Sequence, residues 1–167
     1  MEESAGHLFR AAPDGRDNQP LTDSVLPGTG ITGIWWGIYK NTLTTLVQYL
    51  DQQERPVTFR GTYDLRAAEP TELAGTIIPN VAAGAIAVSP SRDRYFSLLN
   101  NDTGVIGIVT ELSSGKTKNV LSSRLRSWTV NWPAPAIIAL TPRAAAGVPG
   151  TLYFLNPNTG ALTRVLG

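Results

Sequence analysis

The sequence predicts an all-β protein, on three observations. The 167 residues include 16 Gly and 12 Pro spread along the whole chain, and punctuation that dense leaves little room for long helices. The segments between are short and rich in β-branched and aromatic residues, "IWWGIY" and "LYFL" among them, which is strand composition. A unit of four such segments then occurs twice in the second half of the chain, at a period of roughly 40–45 residues.

The two copies are "AIAVSPSRDRYFSLLNNDTGVIGIVTELSSGKTKNVLS" and "WTVNWPAPAIIALTPRAAAGVPGTLYFLNPNTGALTRVLG". In each, a short strand ends in Pro (Ala85–Pro90; Trp128–Pro133) and a second strand follows (Tyr95–Leu99; Ile137–Leu140). After a polar or Gly-rich loop, a third strand (Val105–Leu112; Thr151–Asn156) turns through Ser-Ser-Gly or Asn-Thr-Gly into a fourth (Lys116–Leu121; Ala161–Leu166). Gly at the turn supplies the positive φ a tight hairpin needs, so strands three and four are antiparallel neighbours. Four short antiparallel strands at this period read as one blade of a β-propeller.

The same logic extends upstream. "GHLFRAAPDGRDNQPLT" matches the second half of the unit, with a strand after Gly6, a turn at Asp14-Gly15 and a strand through Leu21. Between lies a longer blade with strands Ile31–Trp36, Leu43–Leu50, Val57–Leu65 and Gly75–Ile78. Leu43, Leu46, Val47 and Leu50 also fit one face of a helix. The Thr, Val and Tyr residues among them favour a strand.

The expectation is one propeller-like domain over 1–167. It comprises an outer half-blade at 6–24 and blades at 31–80, 81–126 and 127–167, three and a half in all, with a closed β-barrel or sandwich as the alternative fold. "VSPSRDRYFSLL", "NWPAPAIIALT" and "LYFLNPNTGALTRVL" carry a resemblance to the WD40-like repeats of TolB-type β-propellers. It is clearest over 85–167, and the Asp-Gly that commonly follows Ser-Pro in such repeats is missing here. Repeats of this kind specify a fold far better than a function.

Propellers close with about four to eight blades. The N-terminal pair would be the outer strands of a blade whose inner strands are absent, so another chain, a second copy or sequence from upstream is expected to complete the ring. The leading function is therefore a non-catalytic scaffold or protein-interaction module. The resemblance implies a rival, a propeller fragment of a TolB-like or hydrolase-associated protein. A third reading is a small-ligand-binding β-barrel, because "ITGIWW" and "FRGTYDL" locally resemble the start of an avidin-like barrel.

Composition narrows the chemistry. Fourteen basic against thirteen acidic residues give net +1, too little to favour nucleic acid or an anionic membrane. Cysteine is absent, which removes disulfides, zinc–thiolate sites and cysteine nucleophiles. The polar N-terminus has no apolar signal region, and the longest apolar run, Val81–Val88, is far short of the ~20 residues of a membrane helix. A soluble chain without a membrane span is expected.

Each chemical motif has a plainer reading. "GTGITG" at Gly28–Gly33 matches a dinucleotide fingerprint, with Asp51 downstream, but the strand-like "IWWGIY" follows where a helix must open. Ser113 and Lys116 have the S-x-x-K spacing of penicillin-recognising enzymes, here across a hairpin turn. His7 is the one histidine, with neither a nucleophile elbow nor further histidines for a metal beside it. The pairs Asp14/Asp17, Glu69/Glu72 and Asp93/Asp102 read as loop charges, and Asn101–Thr103 as a sequon of consequence only in a secreted eukaryotic protein. Lys116–Lys118 and Arg124–Arg126 read as outward charges protecting strand edges. No catalytic residue, cofactor or metal is expected. Trp35, Trp36, Trp128 and Trp132 remain, all on first strands: core residues on one reading, binding-surface aromatics on the other.

Overall fold

A computed structural model describes residues 9–10, 14, 16, 19–20, 31–66, 71–143 and 150–166. The chain divides into two compact units, 1–78 and 79–167. Every regular element among the described residues is a strand.

The first unit holds a short antiparallel pair, β1 (Phe9–Arg10) and β2 (Gln19–Pro20). It also holds an antiparallel sheet of β3 (Ile31–Tyr39), β4 (Thr42–Leu50), β5 (Pro56–Asp64) and β6 (Thr71–Ile78), in chain order. The segment that also fitted a helix is a nine-residue strand, β4. It is paired along its whole length with β5 and nearly so with β3. Leu46 and Val47 therefore point to opposite faces, and both are buried. A helical stripe would have put them on one side.

The second unit contains two more four-stranded antiparallel sheets. One is β7 (Val81–Val88), β8 (Arg94–Asn101), β9 (Gly104–Glu111) and β10 (Thr117–Ser123). The other is β11 (Trp128–Ala134), β12 (Ile137–Pro142), β13 (Leu152–Leu155) and β14 (Leu162–Leu166). The first strands, β7 and β11, pack together. One core joins the sheets, with Phe96, Leu98 and Val109 from the first and Trp128, Trp132, Ile138, Leu140 and Leu155 from the second. No closed barrel is formed by the described strands, and the barrel alternative is set aside because each four-stranded sheet keeps two free edges.

Hairpin chemistry explains the turns. Gly115 and Gly160 have φ of 67° and 78°, the left-handed conformation that L side chains avoid. In the first turn Gly115 N–H donates to Glu111 O, and in the second Gly160 N–H donates to Asn156 O. Asn156 Oδ1 also accepts from the N–H groups of Asn158 and Thr159 at 2.8 and 3.1 Å, so an Asx turn closes the second hairpin.

One sequence expectation needs correction. Arg124–Arg126 lies in the loop between β10 and β11, not on a strand. Ser123 Oγ accepts from Leu125 N–H at 3.1 Å, and Trp128 Nε1 donates to Leu125 O at 2.8 Å. These local bonds satisfy the loop and compete with extension of the ladder. Arg126 Nη2 donates to Asp102 O at 2.7 Å, so this arginine ties two loops together.

Candidate interaction surfaces

The four tryptophans fall into different environments. Trp128 and Trp132 are each 4% exposed and are core residues. The reason is packing. Both belong to the cluster joining the two sheets of the second unit, and Trp128 meets Tyr153 edge to face at 5.9 Å. Trp35 is half-buried, and its ring folds back over Gly33, where a Cβ would come within 2.3 Å of it. Trp36, on the other face of β3, is exposed.

Cross-strand register shows what surrounds Trp36. Ile34, Trp36 and Ile38 lie opposite Val47, Thr45 and Leu43 of β4, and these in turn lie opposite Phe59, Gly61 and Tyr63 of β5. All share one face of the sheet. That face is dry at one end and wet at the other. Val47, Thr45 and Tyr63 are 0%, 4% and 0% exposed, while Ile34, Trp36 and Ile38 are 49%, 43% and 44% exposed. An apolar stripe on the first strand is thus nearly half exposed beside covered neighbours. The opposite face buries Leu46, and Gln48 Nε2 donates there to Thr58 Oγ1 at 3.1 Å.

A second surface lies in the second unit, where Arg94, Glu111, Lys116 and Lys118 line a groove of about 200 Å³ with Pro157 and Asn158. The Arg94 guanidinium carbon lies 5.3 Å from the centre of the Trp132 ring, and Nη1 donates to Asn158 Oδ1 at 2.9 Å. Lys118 Nζ donates to the Asn158 carbonyl. Next to the groove, Asp93 Oδ1 accepts from Ser91 Oγ at 2.5 Å and Ser89 Oγ at 2.8 Å. Burial alone would raise the Asp93 pKa, but these hydroxyls, a backbone bond and the Arg94 charge outweigh it and hold the carboxyl below its usual range.

The remaining motifs gain no chemistry from the fold. Gly33 lies within β3, so the end of the Gly-rich run opens a strand rather than a helix. Ser113 is in the β9–β10 turn, and Lys116 follows that turn. Asn101 Oδ1 accepts from Thr103 N–H and Oγ1 at 3.0 and 3.2 Å, as part of a turn. His7, Asp17 and Glu69 lie outside the described residues, as does the Gly28–Gly30 half of the Gly-rich run. Among the described residues no three His, Cys, Asp or Glu side chains gather as metal ligands. Nor is any helix there long and apolar enough to cross a membrane. Sequence reading took Lys118 for an outward edge charge and missed the groove, because the Asn158 turn that both Arg94 and Lys118 hold is remote in the chain.

No protein-family model matches the sequence, and no curated protein matches it. Solved structures do. The chain is similar to TolB from Acinetobacter baumannii, with TM-score 0.56 and 16% identity, covering 95% of this chain and 37% of that one. The β-propeller domain of the trilobed protease from Pyrococcus furiosus, which has an open velcro topology, gives TM-score 0.52 and 10% identity over 82% of this chain and 42% of that one. The Pyrococcus horikoshii acylaminoacyl peptidase gives 0.53 and 10% over 80% and 24%. The chain therefore spans less than half the length of each of these structures. At these identities the likeness is one of fold, and the fold is that of a partial β-propeller resembling the TolB type.

Proposed function

We propose that the protein is a non-catalytic interaction module built on propeller blades, and that its first unit docks the inner strand pair of a neighbouring blade. One observation carries this reading: Ile34, Trp36 and Ile38 are exposed on the same sheet face on which Val47 and Tyr63 are buried. In a propeller the first strand of each blade is the innermost. The short pair β1–β2 corresponds to the outer strands of a preceding blade, and the inner strands of that blade would pack against β3. Fully burying an Ile side chain contributes roughly 1.5–3 kcal/mol, and the nearly half of Ile34, Trp36 and Ile38 still exposed leaves a good part of that for a contact to gain.

The occupant is a strand pair of propeller type, supplied by a second polypeptide or by another part of a longer chain. The test is native mass measurement with an inventory of every polypeptide in the particle, combined with hydrogen exchange across β3. The expected result is a particle containing a second polypeptide or copy, or a longer native chain, with Ile34–Ile38 protected in it. Trp36→Glu should abolish the protection and the association while the strand signature persists. A lone 167-residue monomer whose β3 stays unprotected would overturn the reading.

A second reading is a propeller segment of a hydrolase-associated protein, favoured by the likeness to the acylaminoacyl peptidase. It predicts a catalytic domain in the same particle, which the same inventory detects.

A further inference from the structure

The groove in the second unit has a chemistry of its own, independent of how the ring closes. We propose that it is an oxyanion site, taking the carboxylate or phosphate group of a small ligand between Arg94 and Lys116.

Strand register builds it. Arg94 on β8 lies opposite Glu111 on β9, and Glu111 N–H donates to Lys116 O at 2.9 Å across the hairpin. Arg94 and Glu111 thus form one row with Lys116, the residue just before β10, and Val109 and Lys118 are paired in the row beside it. Three cations and one carboxylate line the groove, a local excess of positive charge in a chain whose net charge is only +1.

The carboxylate does not neutralise its neighbours. Glu111 Oε2 instead accepts from Ser114 Oγ at 2.8 Å, and no ion pair joins it to Arg94 or Lys116 among the described residues. Lys118 is occupied by the Asn158 carbonyl. Arg94 spends Nη1 on Asn158 and one face of its guanidinium on Trp132, and its Nε lies 3.9 Å from Asp93 Oδ1, which fixes the group and leaves the Nη2 donors among its five N–H. The Lys116 ammonium has no hydrogen-bond partner among the described residues. Buried Val109 and Pro157 supply an apolar lining.

A largely preformed cavity with an apolar lining and a few fixed polar groups is how small-ligand sites are built. At about 200 Å³ it is smaller than the roughly 300–1,000 Å³ of sites for drug-sized ligands, so a small anion suits it. A guanidinium held in one plane favours planar or tetrahedral oxyanions over spherical chloride.

The test is an amide NMR titration with inorganic phosphate and, separately, with succinate, at constant ionic strength set by chloride. Expected are saturable shifts confined to Arg94, Glu111, Lys116, Lys118 and Asn158. Lys116→Glu should weaken binding at least tenfold, and Glu111→Gln should tighten it severalfold by removing the opposing charge. Both substitutions fall at solvent-exposed positions, and unchanged spectral dispersion verifies the fold. Saturable binding of either probe with these two opposite responses supports the site, and the preferred probe reports the anion geometry. Absence of saturable shifts with both probes, or affinity indifferent to Lys116→Glu, would overturn it.

Discussion

The guanidinium carbon of Arg94 lies 5.3 Å from the centroid of the Trp132 ring. The ring is buried, and the arginine joins the two sheets of the second unit through both this contact and Asn158. Stacking of this kind contributes about 0.5–1 kcal/mol at exposed sites and more when desolvated. Lysine keeps the charge but lacks the flat fork. Arg94→Lys should cost about 1 kcal/mol, and Arg94→Ala should cost more, since it also strips cover from the Trp132 ring. Urea denaturation of the three proteins checks this order. Equal stability of all three would refute it.

Gly107 sits inside β9 against the Phe96 ring. A Cβ there would lie 2.8 Å from the ring and 2.7 Å from Leu121 Cβ. Both neighbours are buried, so neither can swing into solvent. Gly107→Ala should therefore destabilise by about 1–3 kcal/mol through overpacking, although alanine is ordinarily the better strand residue. A thermal melt showing equal or greater stability would contradict the close packing.

Thr45 offers the reverse case. Its Oγ1 is buried without a hydrogen-bond partner among the described residues, and an unsatisfied hydroxyl costs about 1–3 kcal/mol. Thr45→Val keeps the β-branched shape in the middle of β4. A gain of about 1 kcal/mol is expected in the same denaturation assay, and a loss would mean the hydroxyl has a role.

Acid should weaken the fold through particular carboxylates. Side-chain and backbone bonds from Arg66 hold the Asp64 pKa at about 2, against an ordinary 3.8. Asp51 is lowered by the Arg55 backbone bond, which outweighs burial, together with Arg55 side-chain and Gln53 contacts, and Asp93 is also lowered. A carboxylate with a depressed folded pKa contributes stability that is present above its unfolded pKa and lost as pH falls through the folded value. Stability should hold above about pH 4 on this account and decline toward pH 2. Asp64→Asn should flatten part of that decline. A denaturation midpoint independent of pH between 2 and 5 would exclude the linkage.

Much of the architecture was written locally. Gly115 and Gly160 mark two hairpins because their φ of 67° and 78° is costly for other residues. Alternation of side chains guaranteed that Trp35 and Trp36 would face opposite ways. The strand identity of 42–50 was locally ambiguous, and pairing on both flanks decided it.

By itself, then, the sequence determined short antiparallel strands in fours, their turns, and the absence of thiol chemistry, since each of these depends on residues near one another in the chain. Tertiary structure alone decided which faces are covered. It buried Trp128 and Trp132, left Trp36 wet, and brought Arg94 and Lys118 to Asn158 across 64 and 40 residues. A period of two says that neighbours point apart, but not which side meets another sheet. Contacts between remote segments leave no local pattern from which to read them.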